Sequence, residues 1–483
     1  NFFYQILSAC KVSAASIGTL GICSKDYNIK TALTTMDPLF LHKNLEILVK
    51  NKVNHVILEA SSHGLDQKRI DYLKLKLGIF TNISHDHLDY HKDMKSYFNS
   101  KMHLFKKLLK EKSTVITDEE NEKFRILNNI LKKRKLKKIT IGKDSGNLKI
   151  LNHSYKKNKQ IVKFSINSKI FYLQITLIGD FQIKNLFMAA LAALHCGLKQ
   201  NAVINSLSKI RPVEGRLECI ANLKNNSNII LDFAHTPAAL EQSLDALKKH
   251  FKKEIIIVFG CGGDRDKKKR LIMGKIANKY CRKIFITDDN PRHENPKKIR
   301  NEIIKGCRKK AVSIGSRKKA IEAAVGALRQ NEILVVAGKG HENDQNYGNK
   351  IIKFSDKKII KYIIKKKIFF FKKNSWPQFL AKKAFSNNNL KNINYNGVSI
   401  NTKTIRKDNL FFAIKGKNTD GHLYAKEAIR KGALKSVVHR KVKNLSKHNV
   451  VNVKDTLSSL NDLARLTRES FNAQIIGITG SVG

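Results

Sequence analysis

Four apolar runs in the middle of the chain each end in a short loop rich in Gly, Asp, Arg or His. Residues 228–233 run into AHTP, 254–259 into GCGGDRDKKKR, 283–287 into DDNPR and 332–337 into GKGHE. An apolar run of about six residues bounded by such loops suits a strand buried on both faces. Each loop leads into helix-forming sequence. That alternation excludes all-α and all-β folds and predicts a doubly wound α/β domain with a largely parallel sheet. Ligands in such sheets bind beyond the C-terminal ends of the strands, and all four polar loops fall there. Thr236 suits an N-cap and Pro237 the first helical position after it.

The front of the chain carries a second set of polar strand ends. Residues 1–25 read as the end of a helix, a turn and a strand over 12–22. The polar turn 33–38 opens a helix at 39–50, and 54–69 reads as a buried strand with Glu59, Ser61 and His63 at its end. A strand at 77–82 runs into HDHLDYH, 85–91. Three histidines and two aspartates in seven residues point to a metal site. Tyr90 separates Asp89 from His91, one residue off the HxHxDH spacing of metallo-hydrolases, which weakens a zinc reading. On the following helix, 93–110, Met94, Phe98, Phe105 and Leu108 share a face with Lys101. A lysine on an apolar stripe must snorkel, pair or be chemically changed. The Ala-rich segment 179–198 reads as a helix, with Asn185 near its start either capping it or facing a ligand.

The chain has 483 residues and a net charge of +54, enough length for two to four domains. Lysines are spread through nearly every segment, so the charge reads as a solvated surface rather than a specific nucleic-acid face. A positive field still attracts anionic substrates. Seven scattered cysteines without a CxxC read as free thiols in a reducing compartment. No apolar run is long enough to span a bilayer, and the expected location is cytoplasmic. The final stretch, FNAQIIGITGSVG, reads as a strand and the start of a phosphate loop with Gly477, Gly480 and Gly483. A P-loop continues with Lys and Ser or Thr, so the loop reads as cut.

HDHLDYH with a lysine on the next helix, then GDFQIKN, VEGRLE, DFAHTP, GCGGDRD, DDNPR and GKGHE, in this order, resembles the ATP-dependent Mur ligases. The resemblance is strongest to the branch that adds the third peptide residue in peptidoglycan synthesis. It covers residues 1 to about 365 and begins just after that branch's own P-loop. GVSINTKTI and LFFAIKGKNTDGH resemble the N-terminal UDP-binding domain of the branch that adds D-Ala-D-Ala. The implied organisation is a central ATPase domain lacking its P-loop (1–210), a Rossmann-like C-terminal domain (211–365) and a basic linker (366–374). A small α/β UDP-binding domain (375–470) and the start of a second central domain (471–483) follow. Such a chain is an internal fragment of a fusion of two consecutive ligases, and alone it is expected to show no turnover. A folylpolyglutamate-synthase-like ligase and a basic nucleic-acid-binding protein stand as alternatives. A zinc hydrolase built on HDHLDYH is a further one.

The resemblance implies the following roles. The reaction is phosphoryl transfer from ATP to a carboxylate, then attack by an amine on the acyl phosphate. Glu59, His87 and a carbamylated Lys101 would hold Mg²⁺. Thr34, Thr35, Ser61, Gln67 and Arg69 match positions contacting UDP-MurNAc-dipeptide, with Met36 where the family usually has proline. Asn185, Arg216, Asp232 and His235 match the nucleotide site. The DNPR version of the motif, Asp289, Asn290, Pro291 and Arg292, is the one associated with meso-diaminopimelate. Arg265 and Arg292 would clamp its carboxylate, and Gly338 and Glu342 would complete the pocket. Ser399, Asn401, Thr402 and the loop 416–422 match the UDP site of the second ligase. Other enzymes of the same pathway are the implied protein partners.

Overall fold

The computed structural model describes residues 1–156, 158–223, 225–307, 311–369, 385, 395–416 and 418–469. The chain divides into two units, Asn1–Lys361 and Tyr362–Gly483. In the first unit, β1 (Ala14–Gly18), β2 (Gly21–Ser24), β3 (Asn28–Ile29) and β4 (His55–Leu58) form a sheet in the order β3-β2-β1-β4. The single strand expected over 12–22 is a hairpin instead. Gly18 pairs with Gly21 across Thr19 and Leu20, and Gly21 takes a φ of 94° that glycine adopts without penalty. A Cβ there would lie 2.1 Å from the Ile29 carbonyl oxygen. β4, expected to be buried, is an edge strand with Val56 exposed.

The second sheet contains β5 (Leu77–Phe80), β6 (Thr114–Asp118), β7 (Lys137–Gly142), β8 (Leu148–Lys156), β9 (Lys159–Ile166) and β10 (Lys169–Ile175), ordered β10 to β5. β5 to β8 pair in parallel, while β8, β9 and β10 form an antiparallel meander. The helix Asp180–His195 begins at Gly179, whose φ is 91°. Asn185 is therefore inside the helix and does not cap it. Ala189, Ala190, Ala192 and Ala193 are buried, and small side chains let this helix approach the helix Phe2–Ala9 closely. The segment after HDHLDYH is regular only over Met94–His103 and continues as a π-turn, Leu104–Leu108. The wider turn rotates the apolar face. Of the expected stripe Phe105 is buried, while Met94, Phe98 and Leu108 are only partly so, and Tyr97, Met102, Leu104 and Leu109 complete the buried face.

The third sheet meets the α/β expectation. It contains β11 (Glu218–Asn222), β12 (Asn228–Asp232), β13 (Glu254–Phe259), β14 (Cys281–Ile286), β15 (Ala311–Ser313) and β16 (Glu332–Ala337), in the order β11-β12-β16-β13-β14-β15. All pairs are parallel except β11 with β12. β12 and β16 are buried along their whole length, as strands covered on both faces must be. Asp232 pairs with Ala337, Val258 with Val336 and Phe259 with Ile286. The four polar loops therefore emerge on one rim. A short antiparallel ribbon, β17 (Asp344–Asn346) and β18 (Ile351–Lys353), follows.

In the second unit β19 (Gly397–Ser399), β20 (Asn409–Phe412), β21 (Ala433–Val438) and β22 (Val450–Asn452) pair in parallel in that order. Phe412, Val437 and Leu463 build one core and Phe411, Ala425 and Val438 the other. The expected linker 366–374 lies mostly, and Gly477, Gly480 and Gly483 lie wholly, outside the described residues. Among the described residues no helix is long and apolar enough to cross a membrane.

Two glycines let the helix Lys268–Tyr280 touch the turn after the helix Pro296–Ile304. A Cβ on Gly274 would lie 2.2 Å from the Ile303 carbonyl oxygen, and one on Gly306 2.4 Å from that of Leu271. Gly274→Ala should cost about 1–3 kcal/mol through overpacking. Gly326, within the helix Arg317–Ala327, has open space around it. Gly326→Ala should be neutral or stabilising by about 0.5–1 kcal/mol. Thermal unfolding of the two variants checks this, and equal melting temperatures would contradict it.

Candidate active site

The Gly18–Gly21 hairpin places the first functional group. Thr19 donates to Glu59 Oε2 from its backbone N–H (3.0 Å) and its hydroxyl (2.9 Å), and its Oγ1 lies 3.2 Å from that of Thr34. A Cβ on Gly18 would sit 2.6 Å from Glu59 Oε2, so glycine is needed where the carboxylate folds back. Glu59 Oε1 makes no hydrogen bond among the described residues. Thr19 has no charge and belongs to no recognised motif, and the sequence reading missed it.

Thr35, Ser61, Gln67 and Arg69 form one connected patch with Tyr90. The Thr35 hydroxyl donates to Glu59 O (2.8 Å) and accepts from Ser61 N–H (2.9 Å). Arg69 donates to Thr35 O (2.6 Å) and to Gln67 Oε1 (2.9 Å), and Gln67 Nε2 donates to Tyr90 Oη (3.1 Å). Ser61 also caps the helix Ser62–Asp66, accepting from Gly64 N–H at 3.1 Å. Met36, where the family usually has proline, is buried in the core below. Thr34 and Thr35 thus keep their places without the ring.

The HDHLDYH loop packs as an aromatic cluster rather than as a cage. The His63 ring lies 4.0 Å from Tyr90 and 5.0 Å from His87, and His91 stacks on Tyr97 at 5.3 Å. Among the described residues no three His, Cys, Asp or Glu side chains come together as metal ligands, so the zinc reading gains no support. His87 has a φ of 54° and donates its N–H to Asp86 Oδ1 (2.8 Å). Lys101 is partly buried, with Nζ 5.2 Å from the Tyr97 ring centre. Burial pulls its pKa below the usual lysine value, against the charges of Glu59 and Asp86. Oxygen donors suit Mg²⁺, which takes one or two carboxylates and completes its shell with water and phosphate. Glu59 with one free oxygen fits that pattern.

Across from this cluster stands the rim of the third sheet. Asp232 is buried, and both its oxygens are used: Leu217 N–H donates to Oδ1 (3.1 Å) and Ser243 Oγ to Oδ2 (2.6 Å). Burial raises its pKa above the usual carboxylate value. It anchors the VEGRLE turn and so sets Arg216, whose guanidinium lies 4.4 Å from the Phe233 ring. His235 Nδ1–H donates to Phe233 O (2.9 Å), leaving Nε2 3.9 Å from Asp86 Oδ2. Asn185 makes no side-chain hydrogen bond among the described residues.

The loops after β13, β14 and β16 interlock. A Cβ on Gly263 would meet Pro291 O at 1.8 Å, and one on Gly338 would lie 2.8 Å from Asp289 Oδ2. Asp289 Oδ2 is buried without a hydrogen-bond partner, 3.9 Å from Arg317 Nη1. Asn290 Nδ2 donates to Glu342 Oε2 (3.0 Å). Arg265 and Arg292 flank Gly262, yet both guanidinium groups are engaged. Arg292 donates to Gly263 O (2.6 Å) and Arg265 pairs with Asp89 (2.6 Å). The two groups expected to clamp a carboxylate are thus each held by a protein acceptor. The Arg265 hydrogen bond and charge outweigh burial and hold the Asp89 carboxyl below the usual range. A cavity of about 330 Å³ opens beside this pair, lined by Asp89, Asp264, Arg265, Asp266, Lys267 and Glu294.

In the second unit the predicted UDP-site side chains serve their own turn. Ser399 Oγ donates to Asn401 O (2.9 Å), and Asn401 Oδ1 accepts from Lys403 N–H (2.9 Å). Thr402 lies near the Glu427 carboxylate, whose ion-pair partner is Lys431 (2.6 Å). His422 is buried and pairs through Nδ1 with Asp420 (2.7 Å), while His439 N–H donates to its Nε2 (3.3 Å).

Comparison with known proteins decides the family. The Mur ligase middle domain matches residues 1–193, the Mur ligase glutamate ligase domain 215–340 and the Mur ligase family catalytic domain 394–468. UDP-N-acetylmuramoyl-L-alanyl-D-glutamate--2,6-diaminopimelate ligase of Rickettsia rickettsii is 40% identical over 372 residues, covering 76% of this chain and 77% of that protein. The chain belongs to the Mur ligase family. It is of the ATP-dependent acid–amino-acid ligase class. The similarly named ligase of Rhizobium meliloti is 38% identical, covering 74% of this Mur ligase chain and 73% of its own. A solved structure of a ligase of that name aligns with a TM-score of 0.54 at 28% identity, over 76% of this chain and 75% of the other. A folylpolyglutamate synthase of Mycobacterium tuberculosis aligns at 0.56 but 14% identity, over 70% of this chain and 84% of the other, and shares the fold alone.

Proposed function

We infer that this Mur ligase adds meso-diaminopimelate to UDP-MurNAc-L-Ala-D-Glu through an acyl phosphate. The carrying observation is the convergence of Asn290, Arg292, Gly338 and Glu342 with Arg265 on one rim. Two arginines beside a carboxylate suit a substrate bearing a carboxylate and an ammonium on the same end. The name shared by the Rickettsia and Rhizobium relatives supports the same substrate. Thr34, Thr35, Ser61, Gln67 and Arg69 bind the UDP-MurNAc-dipeptide, and Arg216, Asn185 and His235 face the nucleotide. Asp232 acts behind Arg216 by holding its turn.

Glu59, His87 and Lys101 would hold Mg²⁺, which neutralises phosphate charge during transfer. Lys101 takes part as a carbamate: its neutral amine attacks CO₂, and one proton leaves. A lowered amine pKa favours the reactive form. Residues 1–210, 211–365 and 375–470 act as central, C-terminal and UDP-binding domains. The last of these derives from the D-Ala-D-Ala-adding branch, a reading that rests on the resemblance of GVSINTKTI and LFFAIKGKNTDGH, since the third family match gives the Mur ligase family without the branch. The site is cytoplasmic, and no nucleic acid is a specific partner.

Calorimetric titration of the chain with meso-diaminopimelate should show saturable binding, at least tenfold tighter than L-lysine, and Arg292→Met should remove that preference. Equal affinity for the two amino acids would overturn the assignment. In ¹³C-labelled bicarbonate the chain should give a carbamate NMR signal that Lys101→Arg abolishes. A signal unchanged in that variant would place the modification elsewhere.

A further inference from the structure

Lys339 is fully buried, and a buried ammonium is costly unless it is paired and hydrogen-bonded. Gly338 (φ 109°) and Gly340 (φ 52°) flank it, and these turns carry the side chain inward. Its Nζ donates to Asn290 Oδ1 at 3.0 Å and to Glu342 Oε2 at 2.7 Å. Asn346 N–H also donates to Asn290 Oδ1 (3.0 Å). Two obligatory donors on that oxygen fix which way the amide points, so Nδ2 faces Glu342 Oε2. Glu342 Oε2 thus receives two donors, Lys339 and Asn290. Glu342 Oε1 makes no hydrogen bond among the described residues, and the side chain is 35% exposed.

We propose that Lys339 is a positioning residue that pins one oxygen of Glu342 so that the other receives a substrate ammonium. Resting on the diaminopimelate reading above, this assigns recognition of the second amino group to a three-residue device, Lys339, Asn290 and Glu342. Lys339 itself touches no substrate. Without it, Glu342 can rotate and the pocket loses its preference for a ligand with two ammonium groups. A purely structural lysine would weaken all amino acids alike.

The test compares meso-diaminopimelate with L-2-aminopimelate, which lacks one ammonium, by calorimetry on the full chain. The wild type should prefer meso-diaminopimelate at least tenfold, and Lys339→Met should bring the ratio to within about twofold of unity while circular dichroism shows a folded chain. A ratio unchanged in Lys339→Met would overturn the proposal. Should that variant fail to fold, Lys339→Met/Glu342→Gln, which leaves neither charge unpaired, is compared with Glu342→Gln alone. Equal affinities for each amino acid in the two variants support the device, and a double variant that binds both amino acids more weakly than Glu342→Gln contradicts it. A wild type that binds neither amino acid overturns the diaminopimelate reading itself, and this proposal falls with it.

Discussion

Parallel pairing of β12, β16, β13 and β14 is the constraint on which the rim depends. Loops that begin at residues 233, 260, 287 and 338 meet only because Asp232 pairs with Ala337, Val258 with Val336 and Phe259 with Ile286. One residue of slip would turn every side chain to the other face. The strands' central residues, among them Ile230, Ile257, Phe285 and Val335, are apolar and buried, so that register is set by core packing. Polar chemistry is then confined to the loops, where backbone meets backbone closely enough that Gly263 and Gly338 admit no side chain.

The rim carries buried polar and charged groups, and three of them, Arg317, Lys339 and Asp232, are hydrogen-bonded inside the protein. Arg317 is fully buried and binds Asp356 through two nitrogens, at 2.8 and 2.7 Å, while also donating to Ala337 O at 2.8 Å. It ties the end of β16 to the helix Asp356–Phe369. Lys339 pairs with Glu342, and Asp232 with a backbone N–H and Ser243. Breaking one partner of such a pair is expensive because it strands the other. The same groups that hold the loops together also aim Asn290, Glu342 and Arg216. Arg265 differs, since its carboxylate partner, Asp89, comes from the HDHLDYH loop and lies beside an open cavity.

Much of this is legible in the amino-acid sequence. The four strand ends, the N-cap at Thr236 and the Ala-rich helix follow from apolar run length and capping chemistry alone. The alternative ligase and zinc readings lost ground to family identity and to the aromatic packing of HDHLDYH. What stayed hidden depended on single backbone turns. Gly18 and Gly21 bracket a hairpin inside an apolar run, which periodicity reads as one strand. The π-turn over Leu104–Leu108 brings Leu109 rather than Leu108 into the core, and no sequence period announces it. Thr19 and Lys339 were missed for opposite reasons. Thr19 carries no motif, and Lys339 sits inside GKGHE among lysines that are elsewhere almost all on the surface. Ser399 and Asn401 show the reverse case, because their side chains close their own turn.

A crystal structure with meso-diaminopimelate bound tests the central claim, that this rim is an amino-acid pocket, most directly. The account predicts a ligand carboxylate between Arg265 and Arg292, the Arg265–Asp89 pair broken, and an ammonium on Glu342 Oε1. Diaminopimelate bound away from the loop that carries Gly338 and Glu342, with the Arg265–Asp89 pair intact, would contradict it.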